Sequence, residues 1–181
     1  MAAPKQLCTF ICVVLGLVLQ SQGQTDQSWK SFSSRAGWSI RYPSYWKISS
    51  CRACSDPTAA EVFAEFEPPP SANKDSSGVS IDRFAEKPSN KSALEFLSEM
   101  KATELKSRKP RGLRERERTV GGFPALEFSY YDGGMGFEEV YVVAGSHSFR
   151  ILFAALVRDQ LEQLDTYKVY RRMLTTFRAK L

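Results

Sequence analysis

Apolar and polar positions change period along this chain, and each change marks an element. From Gly37, the residues Trp38, Ile40 and Tyr42 alternate with Ser39 and Arg41, the period-2 signature of a strand buried on one face. Pro43 presets a turn, and Trp46 and Ile48 lead into a second short strand. In EVFAEFEPPP, Val62, Ala64 and Phe66 fall on one side, with Phe63 and Glu65 on the other. Pro68–Pro70 then close the strand, because proline cannot donate to a ladder. SANKDSSG reads as a loop and VSIDRFA as a strand. The period next becomes helical: Ala93, Phe96, Leu97 and Met100 form an apolar stripe, and Ser92 with Glu95 supplies a capping box.

KSRKPRG breaks that helix, and LRERERT is strand-like but polar on both faces. FPALEFSYY alternates at Leu126, Phe128 and Tyr130, and DGGMG is a turn. FEEVYVVAG and SFRILFAALV flank GSH as a hairpin. The second of these strands is apolar on both faces, which predicts a central place with cover on each side. The chain closes with Asp159 and Glu162 as a second capping pair. Leu164, Tyr167, Tyr170, Leu174 and Phe177 follow as a buried helical stripe. Strands, a helix, more strands and a helix, with short turns between strands, predict an α+β domain. Its sheet is mainly antiparallel and flanked by helices.

The N-terminus changes the picture of compartment. Lys5 precedes an apolar run, Leu7–Leu19, that is shorter than the roughly 20 residues of a spanning helix. Residues 1–23 read as a cleaved secretory signal, residues 24–36 as a polar tail and residues 37–181 as one domain. A secreted or periplasmic location follows, with no transmembrane segment expected in the mature chain. A hydrophobic content of 43% with 25% charged residues is that of a globular domain. The net charge of +5 is too mild for a nucleic-acid binder, and export argues against one as well.

The opening Gly37-Trp38, followed by Tyr42-Pro43 and Trp46, resembles the start of the PsbP-like family, whose members have a Mog-type α/β/α sandwich. Thr119–Tyr131 resembles the family's middle strand pair, and the element order resembles it from about residue 36 to residue 180. The resemblance implies the same sandwich. It also implies a non-enzymatic accessory role, often in assembling or stabilising a partner complex. No motif specific to photosynthesis is present.

Candidate chemistry is sparse. Haem attachment through Cys51 and Cys54 would need a histidine next, where this chain has Ser55. Structural zinc needs four ligands, and His147 is the sole histidine. A redox pair sits at a helix N-terminus, whereas SDPTAAE after Cys54 has no strong helical stripe. The favoured reading is a short-loop disulfide formed after export, with a small entropic gain. A thiol–disulfide or metal-handling role for the same cysteines is the alternative. His147 has no carboxylate near it in sequence, and the G-x-S-x-G elbow of a serine nucleophile is absent. YYDGGMGF precedes a strand rather than a helix, so it offers an anion no helix N-terminus. Trp29, Trp38 and Trp46 read as core packing, with a ligand-stacking platform as the other possibility. Asn90-Lys91-Ser92 is a glycosylation acceptor under eukaryotic secretion. No catalytic residue, cofactor or metal is expected.

One charge feature stands out. Lys106, Arg108, Lys109, Arg111, Arg114, Arg116 and Arg118 crowd into KSRKPRGLRERERT. At period 2, Arg114, Arg116 and Arg118 share one face, with Glu115 and Glu117 on the other. Unpaired buried charge is costly, so this strand is expected at a sheet edge. There it either guards against aggregation or docks an acidic protein or an anionic envelope surface. The function expected is an exported, soluble, non-catalytic binding or assembly factor.

Overall fold

The computed structural model describes residues 28–52, 63–70 and 76–180. The signal segment, Val62 and Cys54 lie outside the described residues. A small antiparallel sheet holds β1 (Trp29–Ser33), β2 (Trp38–Pro43) and β10 (Arg178–Ala179), in the order β1-β2-β10. The large sheet holds β3 (Lys47–Arg52), β4 (Phe63–Glu67), β5 (Ser77–Glu86), β6 (Arg111–Val120), β7 (Phe123–Asp132), β8 (Met135–Ala144) and β9 (His147–Ala155). Its order is β3-β4-β5-β9-β8-β7-β6, antiparallel at every step. Helix α1 (Ala93–Leu105) carries the chain from β5 to the far edge at β6, and α2 (Asp165–Thr175) follows β9. The α+β class and the flanking helices are as the pattern predicts, and β9, apolar on both faces, is the middle strand.

Each face of the large sheet buries a helix. On one side, Val140, Val142, Ile151 and Phe153 share a core with Tyr170, Met173 and Leu174 of α2. Phe177, just past α2, ties the small sheet to the large one. Its ring lies 6.4 Å from Trp38 and 5.8 Å from Phe149. On the other side, Phe96, Leu97 and Met100 of α1 pack on Leu126, Phe128, Tyr130, Tyr141 and Val143. Burying one such side chain stabilises by about 1.5–3 kcal/mol, so neither face can be left bare. The capping box of α1 forms as expected: Ser92 Oγ accepts from the Glu95 N–H at 3.3 Å, and Glu95 Oε2 accepts from the Ser92 N–H at 2.9 Å.

Two expectations are corrected. The tail expected over residues 24–36 contains β1, which pairs with β2 from Trp29↔Pro43 to Ser33↔Ser39. Phe32 sits 5.2 Å from the Trp38 ring and 5.6 Å from Phe66. Trp29 and Phe32 are three apart in a polar stretch, so no period-2 signal announces the strand. Secondly, Asp159 and Glu162 do not cap α2. Gln160 turns left-handed at φ 57°, a short 3-10 turn spans Leu161–Gln163, and the helix starts at Asp165 with Leu164 as an N-cap that makes no side-chain bond. Trp38 and Trp46 are buried, consistent with core packing, and Trp29 is half-buried beneath the Arg172 guanidinium at 4.7 Å. Among the described residues, no helix is long and apolar enough to cross a membrane.

The β6–β7 hairpin turns through Gly121-Gly122, at φ 62° and 92°. Two-residue hairpin loops of this kind need positive φ at both positions. A Cβ at Gly121 would also lie 2.7 Å from the Phe177 carbonyl oxygen, whereas one at Gly122 meets open space. Gly122→Ala should therefore cost about 1 kcal/mol, the left-handed penalty alone. Gly121→Ala should cost at least about twice that, because the turn must also move off the end of α2. Urea unfolding of the two variants checks this; equal losses would contradict it.

Candidate functional site

The basic strip lies where its charge pattern requires, on the terminal strand β6 and the loop leading into it from α1. From Arg111 to Glu117 every residue is exposed. Its charges divide into two groups. Lys106, Lys109 and Arg111 are exposed and have no carboxylate partner among the described residues. Arg108, Arg114, Arg116 and Arg118 are each bound within the chain. Arg108 Nη2 donates to Glu104 at 2.5 Å, and its guanidinium lies over the Tyr130 and Phe137 rings at 5.7 and 5.4 Å. The strip is thus not uniformly available to solvent, as charge alternation alone would suggest.

Arg114, Arg116 and Arg118 do share one face, which turns toward α2. Arg114 donates to Glu162 at 3.0 Å and Arg116 to Glu127 at 2.7 Å, and Arg118 also donates to Glu127. Glu127 is a buried carboxylate on β7, opposite Arg116 in register. Arg171 of α2 reaches it at 2.9 Å and Glu138 of β8 at 2.6 Å. Tyr167 adds a hydroxyl donor to Glu138 at 2.5 Å. Burial alone would raise the Glu127 carboxyl, but bonds from Arg118 and Arg171 outweigh it and hold the group below its ordinary range. For Glu138 burial wins, and its carboxyl is raised despite Tyr167 and Arg171. These groups line an open cleft of about 440 Å³ between β6 and α2. On the opposite face of β6, Lys101 of α1 donates to Glu115. The edge strand is therefore pinned by ion pairs from both helical layers.

Beneath α1 lies another buried carboxylate, Glu139, adjacent to Glu138 and pointing to the other face. It accepts from the Tyr130 hydroxyl at 2.8 Å and the Tyr141 hydroxyl at 3.2 Å. Burial pushes its carboxyl up, with Glu104 adding to the shift and Arg150 opposing it. Arg150 itself is held by Asp82 at 2.8 Å. Sequence reading missed Glu127, Glu138, Glu139 and Arg171. The available signal was a carboxylate set inside an apolar strand, as in FPALEF and FEEVYVVAG, since a buried acid must find donors.

The remaining candidates stay separate from this cleft. Cys51 falls on β3, at the opposite edge of the large sheet. His147 closes the β8–β9 hairpin, where its Nδ1 accepts from Arg83 at 2.8 Å. Among the described residues no group of His, Cys, Asp and Glu is placed to hold a metal ion.

No family model and no curated sequence matches the chain. Solved structures do. A Bacteroides thetaiotaomicron protein overlays with a TM-score of 0.53 at 16% identity, over 84% of this chain and 48% of its own, so the chain spans about half of that protein. The Saccharomyces cerevisiae Ran-binding protein Mog1p overlays with a TM-score of 0.50 at 11% identity, over 84% of this chain and 96% of its own. Cyanobacterial PsbP from Synechocystis overlays more loosely, with a TM-score of 0.47 at 13% identity, over 87% of this chain and 96% of its own. The chain has a Mog1-like fold, the sandwich expected from its opening motif, and at these identities the likeness is one of fold.

Two outcomes follow from the site. Arg118→Glu sets a carboxylate against buried Glu127. Breaking a buried pair outright costs about 3–5 kcal/mol; with Arg116 and Arg171 still bonded, about 2–3 kcal/mol is expected here. Lys109→Glu with Arg111→Glu should stay within about 0.5 kcal/mol of the parent. Equal losses in denaturant would contradict the division of the strip. Glu139→Gln tests the buried acid through pH. A carboxyl raised in the folded state binds protons more tightly there than in the unfolded chain. Folded stability is then lost as pH rises from the ordinary glutamate range, about 4.3, through the raised value. Relative to the parent, the Gln variant should gain stability across that window and hold the gain at neutral pH. A difference that does not change between pH 4 and pH 8 would contradict the assignment.

Proposed function

We propose that the chain is an exported, non-catalytic accessory protein that docks an acidic partner protein through the cationic margin of its sheet. One observation carries the reading: Lys106, Lys109 and Arg111 stand exposed and without a carboxylate partner among the described residues, while their neighbours in the strip are bound by Glu104, Glu127 and Glu162. Arginines engaged on a buried acid serve the fold. Cations left in solvent add almost nothing to it, and their field accelerates encounter with an acidic surface. The Saccharomyces cerevisiae neighbour is described as Ran-binding, and a protein-binding role on the shared fold accords with the proposal, although fold does not fix function. Export rests on Lys5 and the run Leu7–Leu19. The competing reading is an exported thiol–disulfide or metal-handling protein built on Cys51 and Cys54.

The test measures association with a glutamate-rich peptide and, in parallel, with vesicles containing anionic phosphatidylglycerol. Binding to the peptide should weaken steeply as salt shortens the Debye length to about 8 Å at physiological strength. Lys106→Glu, Lys109→Glu and Arg111→Glu together should slow association roughly ten-fold at low salt with melting temperature unchanged. Serine at positions 51 and 54 should leave binding intact. Binding to vesicles alone would move the proposal from a protein to a membrane surface. Binding indifferent to salt and to the triple change would overturn it, and loss of binding in the double serine variant would favour the cysteine reading.

A further inference from the structure

The margin that carries these cations is also an open backbone edge. Strand β6 is ten residues long, ends the large sheet and contains no proline. Among the described residues nothing pairs with its outer side, so half of its amide and carbonyl groups have no partner strand. Such an edge is a template for another strand. Its side chains restrict which strand can use it. In any antiparallel pairing of β6 with a second copy, the two sheets become continuous and residues of one face meet residues of the same face. From Arg114 to Arg118 that sets arginine against arginine on the α2 side, and Glu115 and Glu117 against each other on the α1 side, in every register. Like charges directly opposite are destabilising. The alternation therefore disfavours antiparallel self-pairing, although the side chains of Arg114 and Arg116 remain 78% and 60% exposed and able to meet a partner's carboxylates.

We propose that β6 receives an extended segment of the acidic partner as an additional strand. Acidic residues alternate on the face shared with Arg114, Arg116 and Arg118, and uncharged residues lie opposite Glu115 and Glu117. The inference rests on the docking reading above and adds the partner's conformation and charge order. Lys106, Lys109 and Arg111, at the entry to the strand, supply the excess positive charge that draws the segment in. Backbone pairing then gives affinity, and the alternating side chains give register. The bulge between Arg111 and Arg114 marks the end of regular pairing on the β7 side, so the added strand is expected along Arg114–Val120.

Two peptides of one composition test this: Thr-Glu-Thr-Glu-Thr-Glu-Thr, and the block isomer Thr-Thr-Glu-Glu-Glu-Thr-Thr. Their charge is the same, so docking by charge alone treats them alike. Strand addition predicts that the alternating peptide binds roughly ten-fold tighter, because its glutamates meet the exposed Arg114 and Arg116 while the block isomer must also set a glutamate against Glu115 or Glu117. N-methylation at every second residue should erase that advantage. Amide exchange of β6 should slow when the alternating peptide is bound. Equal affinity of the two peptides, with no protection of β6, overturns strand addition while leaving docking by the free cations in place. Failure of both peptides to bind at low salt overturns both. An antiparallel β6–β6 dimer, its β6 amides protected without peptide, overturns the argument against self-pairing.

Discussion

Arg171 sits between two buried carboxylates, 2.9 Å from Glu127 and 2.6 Å from Glu138. The rest of the fold around β6 depends on that arrangement. Glu127 lies on β7, Glu138 on β8 and Arg171 on α2, so one guanidinium joins two strands of the large sheet to the helix that covers them. Arg116 and Arg118 extend the connection to the edge strand. A buried carboxylate without donors is costly, and among the described residues the cations on Glu127 come from β6 and α2. The charged edge strand and the charged helix are thus required by acids in the interior. Glu139, one residue beyond Glu138, makes the same demand on the opposite face and is answered by Tyr130 and Tyr141.

This changes the meaning of the basic strip. Read as a run of charge, it is one surface of seven cations. In three dimensions four of them answer carboxylates of the same chain, and three remain. Of the first group, Arg114, Arg116 and Arg118 hold β6 on the α2 side, and Arg108 is bound to Glu104 on the α1 side. The second lies at the α1–β6 junction, where no layer of the described structure covers it. An edge strand fixed from both faces but open along its backbone is well suited to receive another strand. It is stiff enough to act as a template, and its charge order works against antiparallel pairing with its own copy.

Much of the architecture was legible in the residues. Period-2 alternation at Trp38, Ile40 and Tyr42, or at Leu126, Phe128 and Tyr130, reports a half-buried strand directly, and these residues are buried. The capping box at Ser92 and Glu95 is a local device, and it forms. The edge position of β6 followed from the cost of burying alternating charge. What escaped notice depends on distance in sequence. Trp29 and Phe32 become a strand only because β2 and Phe66 lie beside them. Asp159 and Glu162 have the spacing of a cap, but Gln160 turns the chain and Glu162 is drawn to Arg114, 48 residues earlier. The carboxylates of β7 and β8 looked like polar interruptions of apolar strands. Arg171 lies 33 residues from Glu138 along the chain, and Arg118 meets Glu127 only once the β6–β7 hairpin has formed.

The direct measurement is the cost of removing Arg171 in two backgrounds. Arg171→Met in the parent leaves Glu138 without its cation and Glu127 short of one, and should destabilise by about 3 kcal/mol or more in urea unfolding. In a chain already carrying Glu127→Gln and Glu138→Gln, the same substitution should cost no more than about 1 kcal/mol, because no buried charge is left unpaired. An equal cost in both backgrounds would show that Arg171 acts through packing alone and would contradict the account.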